Sequence, residues 1–178
     1  MSMITNFVVT GASSDIGGIL VRTIIDQGGR VLATGYRNTP KEGMGDGVGY
    51  HFMQGMNLLD VTCLEQLREQ VRSRFSERFA LVHCAGDFWR HKPLVHTQLT
   101  EISSMVNSHY VTLANTTQIL LPMMIKAGGG AIVAFSCNSV GYSYPDMSPF
   151  TASKAAVEAF MKCMANEYSQ YEIGRAHV

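Results

Sequence analysis

The 178-residue sequence lacks a charge surplus: Lys+Arg and Asp+Glu both number 14. With no net field and no run of basic residues, nothing in it recruits nucleic acid or an anionic membrane. No apolar stretch is long enough to read as a bilayer-spanning helix. The four cysteines, Cys63, Cys84, Cys137 and Cys163, lie far apart without a CxxC pair, and the six histidines form no HExxH pair. That spacing argues against a disulfide framework and against a metal site, and it reads as reduced thiols in a cytoplasmic protein. A secretory leader is not expected either. Residues Ile4-Thr5-Asn6-Phe7-Val8-Val9-Thr10 enter a strand pattern at once, without a charged segment and long apolar stretch before them. Charged residues are only 16% and hydrophobic residues 46%, which excludes a disordered or coiled-coil chain and leaves one globular domain.

Strand-like apolar runs alternate with helix-period runs throughout. Strands are predicted near Ile4–Thr10, Arg30–Thr34, Tyr50–Gln54, Phe79–Cys84 and Ala131–Ser136. Such βαβ alternation predicts an α/β fold, a doubly wound parallel sheet with helices on both faces. After Asp60, Leu64, Leu67, Val71 and Phe75 form one stripe, with Glu65, Arg68, Glu69 and Arg72 on the wet side. A longer helix is predicted over 100–127, closed by Gly128-Gly129-Gly130 and kinked near Pro122. Its apolar positions (Ile102, Met105, Val106, Leu113, Leu120, Leu121, Met124) cover more than one stripe. Two readings stand: deep burial within one chain, or a homo-oligomer contact through this helix. Between Thr34 and Tyr50, glycines at 43, 45, 47 and 49 make a poor helix, so that crossover is read as a loop.

The strongest local motif is Thr10-Gly11-Ala12-Ser13-Ser14-Asp15-Ile16-Gly17, between the first strand and an apolar-periodic helix. Gly11 suits a tight turn and Gly17 a close helix–strand approach. Ser13 and Ser14 place hydroxyls at a helix N-terminus, whose free N–H groups and dipole favour a pyrophosphate. The motif resembles the TGxxxGxG turn of the short-chain dehydrogenase/reductase family, departing from it at Asp15, where glycine is usual. The resemblance extends through Tyr171. Asp60-Val61 looks like the family's acidic residue that contacts the adenine side of the cofactor. His83-Cys84-Ala85-Gly86 stands where NNAG is typical, matching at Ala85 and Gly86, and Asn107 matches the family's structural and proton-relay asparagine. At the end of the second strand, Thr34-Gly35-Tyr36-Arg37 has no carboxylate to select a ribose 2′-hydroxyl. Arg37 offers a fork for a 2′-phosphate instead, so NADP is expected in preference to NAD.

The resemblance also implies a catalytic tyrosine four residues before Lys154, a lysine that lowers the tyrosine pKa and holds the nicotinamide ribose, and a serine that polarises a carbonyl. Lys154 matches, but Phe150 stands at the tyrosine position and Cys137 at the serine position. Phenylalanine has no proton to donate, and a thiol is a weak donor. Ser136 or Ser139 could replace the serine after a small shift, and Tyr142 or Tyr144 could supply a substitute phenol. The implied function is an NAD(P)-dependent oxidoreductase acting on a carbonyl or hydroxyl of a small molecule, with altered proton handling. The alternative is a catalytically silent dinucleotide-binding protein, a sensor or partner subunit; a dehydratase or isomerase on the same fold is a third possibility.

Residues 1–171 are read as the nucleotide-binding domain, and 172–178 as a non-native tail. Glu172-Ile173-Gly174-Arg175-Ala176-His177-Val178 back-translates as GAGATCGGAAGAGCACACGTC, which from its second base matches a widely used short-read sequencing adapter. The preceding helix pattern also stops there with no strand expected after it, leaving an unpaired sheet edge and low expected stability.

Overall fold

The computed structural model describes residues 3–37, 47 and 49–177. Five strands form where the apolar runs place them: β1 (Asn6–Thr10), β2 (Arg30–Gly35), β3 (Tyr50–Gln54), β4 (Phe79–His83) and β5 (Gly130–Ala134). A sixth, β6 (Ile173–His177), was not expected and pairs in parallel along β5, with Gly130 opposite Ile173. The edge of β5 offers backbone donors and acceptors to any extended segment, whatever its side chains, and residues 173–177 take them. Arg78 Nη2 holds the turn before β6 through Glu172 Oε2 at 3.3 Å. The sheet therefore runs past Tyr171. On the β2–β3 crossover, Gly43 and Gly45 lie outside the described residues, and Gly47 makes an isolated antiparallel bridge with Tyr50.

The parallel sheet has the order β3-β2-β1-β4-β5-β6. Its period of two sorts the side chains onto two faces. Val8, Leu32, Leu81 and Ile132 pack under α2 (Val61–Arg74), α4 (Thr112–Lys126) and α6 (Ser148–Glu167). Val9, Val31, Ala33 and Val82 meet α1 (Asp15–Asp26) through Val21, Leu20 and Ile24. In α2 the predicted stripe is the buried one, with Leu64, Leu67 and Val71 in the core and Phe75 just past the last turn.

The long helix differs from expectation in where it is irregular. It starts as α3 (Leu99–Val106), loosens into one π-helical turn over Asn107–Val111, and continues as α4. Pro122 does not break it. Pro122 is exposed, so the carbonyl that its ring deprives of a donor can be satisfied by water. Helix α4 packs on α2, while α3 and the π turn pack on α6. Contacts on two sides within one chain cover most of the apolar surface, and Val106 stays exposed.

The chain runs from β1 outward to β2 and β3, then returns past β1 to form β4. Connections therefore diverge at the C-terminal ends of β1 and β4, the switch point where open α/β sheets leave a crevice.

Candidate functional site

The turn after β1 is built by contacts that only glycine permits. Gly11 has φ +64°, and a Cβ there would lie 2.6 Å from the Ala85 nitrogen. A Cβ on Gly17 would strike the Gly11 carbonyl. Ser14 caps α1: its Oγ accepts from the Gly17 N–H at 3.1 Å and donates to the Gly11 carbonyl at 2.7 Å. Asp15 sits in the first turn, where a carboxylate complements the helix dipole. Asp15, Ile16 and Gly17 do not line the neighbouring cavity.

That cavity, about 620 Å³, opens over the C-terminal ends of β1, β2 and β4. Gly11, Ser13 and Ser14 border it on one side, Thr34 to Arg37 and Met56 to Leu59 on another. Cys84 to Asp87 and the inner side of α3 and the π turn complete it. Gly86 could not be larger without striking His109. Arg37 reaches the cavity from the end of β2, with its guanidinium 3.5 Å from Asp87 Oδ1.

The structure corrects the placement of Asp60 and Val61. Asp60 is the N-cap of α2, its Oδ1 accepting from the Cys63 N–H at 3.0 Å, and Val61 is 71% exposed; neither lines the cavity. A carboxylate just before a helix is drawn to the free N–H groups. The polar residue after β3 that does line the cavity is Asn57, whose Oδ1 accepts from the Leu59 N–H at 3.1 Å.

Asn107 lines the cavity in an exposed position, and the residue that the π turn directs into the protein is His109. His109 Nε2 lies 3.0 Å from the Asp87 carbonyl and can only donate to it. Nδ1 is 2.8 Å from Ser153 Oγ on α6. His83 on β4 is held likewise. Its Nδ1 is 2.8 Å from Thr10 Oγ1 and its Nε2 3.3 Å from Thr112 Oγ1, while Thr112 donates its own proton to the Ser108 carbonyl at 2.7 Å. This arrangement puts a proton on Nε2 of His83, which then donates to Thr112 Oγ1.

Burial first, and the Lys154 charge second, lower the pKa of His83 to about 3 and of His109 to about 4. Both side chains bind fewer protons folded than unfolded at any pH between these values and 6.5. Their stabilisation is complete above the unfolded pKa and drains away as pH falls toward 4, by up to about 1.4 kcal/mol per pH unit for each imidazole. Melting temperature is therefore expected to fall between about pH 7 and about pH 5, and to fall less in a His83→Gln, His109→Gln variant. A melting temperature as independent of pH in the wild type as in that variant would contradict this burial.

Lys154, Phe150 and Cys137, matched to the family's catalytic centre, cluster around α6, beside the cavity and not on its wall, whereas Asn107 lines it. Lys154 Nζ donates to the Phe135 carbonyl at 2.9 Å and lies 5.8 Å from the centre of the Phe150 ring. Its pKa is lowered by burial, against which the nearby Cys137 and Cys84 thiols act. The Cys84 thiol is itself pushed up to about 12 by burial. Phe150 packs with Trp89, Met105 and Met147, and stands edge-on to His109 at 5.2 Å. Cys137 Sγ is 3.4 Å from Asn138 Oδ1. Of the serine alternatives, Ser136 donates to Glu158 Oε1 at 2.5 Å, while Ser139 is fully buried with no hydrogen-bond partner for its Oγ among the described residues. Tyr142, at the end of α5 (Ser139–Tyr142), stacks on Tyr144, both exposed and 6.1 Å apart. Among the described residues no group of three or more His, Cys, Asp or Glu side chains could hold a metal, and no helix is long and apolar enough to cross a membrane.

Comparison with known proteins adds to this geometry. The family described as short chain dehydrogenase matches residues 5–177. The NADP-dependent 3-hydroxy acid dehydrogenase YdfG of Escherichia coli O6:H1 is 24% identical over 153 residues, covering 85% of this chain and 62% of that protein. The fatty acyl-CoA reductase of Acinetobacter baylyi is 27% identical over 172 residues, covering 93% and 58%. The chain thus spans about three-fifths of the length of these relatives. Among solved structures, a short-chain dehydrogenase from Streptomyces avermitilis superposes with a TM-score of 0.86 at 24% identity, covering 98% of this chain and 65% of that one. ElxO with NADP bound gives 0.85 at 22% identity, covering 96% and 71%. A tyrosine-to-phenylalanine variant of ElxO with NADPH bound gives 0.86, with the same identity and coverage. With its parallel Rossmann-like sheet, its glycine turn and a family match over nearly its whole length, the chain belongs to the short-chain dehydrogenase family.

Proposed function

We propose that the protein is an NAD(P)-dependent oxidoreductase acting on a carbonyl or hydroxyl group of a small molecule, with NADP preferred. One observation carries this reading: a single cavity at the sheet's switch point has the N-terminus of α1 at one border and Arg37 at another. The residues fit a dinucleotide. Gly11 and Gly17 hold the turn closed, and Ser13, Ser14 and the α1 N-terminus suit a diphosphate. No carboxylate in Thr34–Arg37 selects a 2′-hydroxyl, whereas the Arg37 guanidinium suits a 2′-phosphate. YdfG is named as NADP-dependent and ElxO holds NADP, which supports the same preference.

A bound nicotinamide would supply or accept the hydride. The chain's own part is positioning: Ala85 and Gly86 border the cavity beyond the turn, and the Lys154 ammonium lies 5.8 Å from the Phe150 ring centre. Phe150 and Cys137 offer no strong proton donor, so carbonyl reduction here is slow or uses a proton from water. Those two residues also favour a second reading, a catalytically silent dinucleotide binder. The apolar packing of Phe150 against Trp89, Met105 and Met147 is its specific support. A cytoplasmic location and a homo-oligomer joined through the 100–127 helix complete the proposal.

Calorimetry tests it directly. NADPH is expected to bind more tightly than NADH, and Lys154→Ala to weaken NADPH binding roughly tenfold, as for loss of a hydrogen bond from a charged group. Tighter NADH binding would overturn the cofactor preference. Unchanged affinity in the lysine variant would place Lys154 away from the nicotinamide ribose.

A further inference from the structure

Asp87 follows Gly86 beyond β4 and is fixed by three contacts. Its N–H donates to Ser108 Oγ at 3.3 Å, its carbonyl accepts from His109 Nε2 at 3.0 Å, and its Oδ2 accepts from Ser104 Oγ at 3.1 Å. Its remaining oxygen, Oδ1, faces Arg37 Nη1 at 3.5 Å. Among the described residues Arg37 is anchored far less: its side chain is 70% exposed, against 34% for Asp87, and its other contact there is the Tyr36 ring at 5.6 Å. Arg37 comes from the end of β2 and Asp87 from the end of β4, with β1 between them. The ion pair therefore bridges two walls of the cavity as a movable cation held to a fixed anion.

We propose that Asp87 is a specificity-determining residue that competes with a ribose 2′-phosphate for Arg37, and so limits the preference for NADP over NAD. The proposal rests on the nucleotide reading above. A 2′-phosphate offers Arg37 about two negative charges and a bidentate partner, so the guanidinium leaves Asp87 to meet it. Asp87 cannot follow, because Ser104, Ser108 and His109 hold it, and its carboxylate is left beside an anionic ligand. A 2′-hydroxyl offers no charge, so NAD leaves the Arg37–Asp87 pair in place. Arg37 thus favours the phosphate while Asp87 subtracts from that gain.

The test is a double-mutant cycle on the full chain with Asp87→Asn, Arg37→Gln and the two combined, reading Kd for NADPH and for NADH by calorimetry. Asparagine keeps an oxygen for Ser104 and removes only the charge; Asp87→Ser serves as a second variant, and melting temperatures confirm folding. Exposed ion pairs of this kind predict that Asp87→Asn tightens NADPH binding roughly two- to fivefold, with less gain at high salt. NADH affinity stays unchanged, and the gain disappears in the Arg37→Gln background. An equal gain for both cofactors, or a gain that survives Arg37→Gln, would mean simple repulsion and overturn the competition. NADPH binding by the wild type with no change in the Asp87 variants overturns it as well, while leaving the nucleotide reading intact. If the wild type binds neither dinucleotide, the nucleotide reading fails and takes this proposal with it.

Discussion

Replacing Phe150 with tyrosine is expected to raise turnover on a panel of simple ketones with NADPH by roughly 100-fold or more, the usual worth of a positioned general acid. The geometry supports a large effect. Phe150 and Lys154 are one helical turn apart on α6, and the ammonium already lies 5.8 Å from the ring centre. A phenol on that ring would gain a cation beside it, which lowers a tyrosine pKa and eases proton transfer near neutral pH. The Cys137 thiol would still polarise a carbonyl poorly, so Phe150→Tyr with Cys137→Ser is expected to exceed the single variant. NADPH affinity should hardly move, because tyrosine keeps the Phe150 ring and leaves the Lys154 ammonium in place. If the tyrosine variant binds NADPH as the wild type does and reduces nothing faster, the impaired-reductase reading fails and the silent binder takes its place.

Much of the fold was legible because its signals are local. Strands β1 to β5 are apolar runs punctuated by glycine or by helix caps, and each lies within two residues of its expected bounds. The glycine turn was legible too, since a strand, a turn and a helix cap stand next to one another in the sequence. What escaped was the facing of side chains. Asp60 suited two roles, helix cap and nucleotide contact, and only its bond to Cys63 separates them. The π turn has no sequence signature, and it sets the side chains of Asn107 and His109 apart, one on the cavity wall and one inside. A lone histidine in an apolar helix reads as core, and His109 is core, yet it also fixes the Asp87 carbonyl at the cavity. Asp87 itself carried one unused signal: a carboxylate directly after Ala85-Gly86, where an anionic ligand was already expected. The strand β6 was missed because its side chains show no apolar alternation; its pairing with β5 is a backbone matter.

Gly11→Ala is expected to abolish nucleotide binding and to destabilise the fold by about 3 kcal/mol or more, combining left-handed strain with overpacking. At φ +64° an alanine is strained even in open space, and here its methyl would meet the backbone of Cys84 and Ala85, 2.6 to 2.7 Å away. Backbone cannot swing aside as a flexible side chain does, so either the β1 turn or the β4 turn must move. Movement of the first breaks the Ser14 cap, since Ser14 Oγ donates to the Gly11 carbonyl, and it shifts the N–H groups at the start of α1. Movement of the second displaces Ala85 and Gly86, which border the same cavity, and Gly86 lies against His109. Either route alters the diphosphate site before it unfolds the sheet. A denaturant titration and NADPH calorimetry on the same preparation separate the two effects. Gly28→Ala is the control, because Gly28 is also left-handed, at φ +80°, yet has nothing within 4 Å of its Cβ position. The control should lose only the conformational part, about 1 kcal/mol, and keep its affinity for NADPH. Equal losses of stability in the two variants, with binding intact in both, would mean that the turn after β1 does not pack on β4 as described and does not shape the nucleotide site.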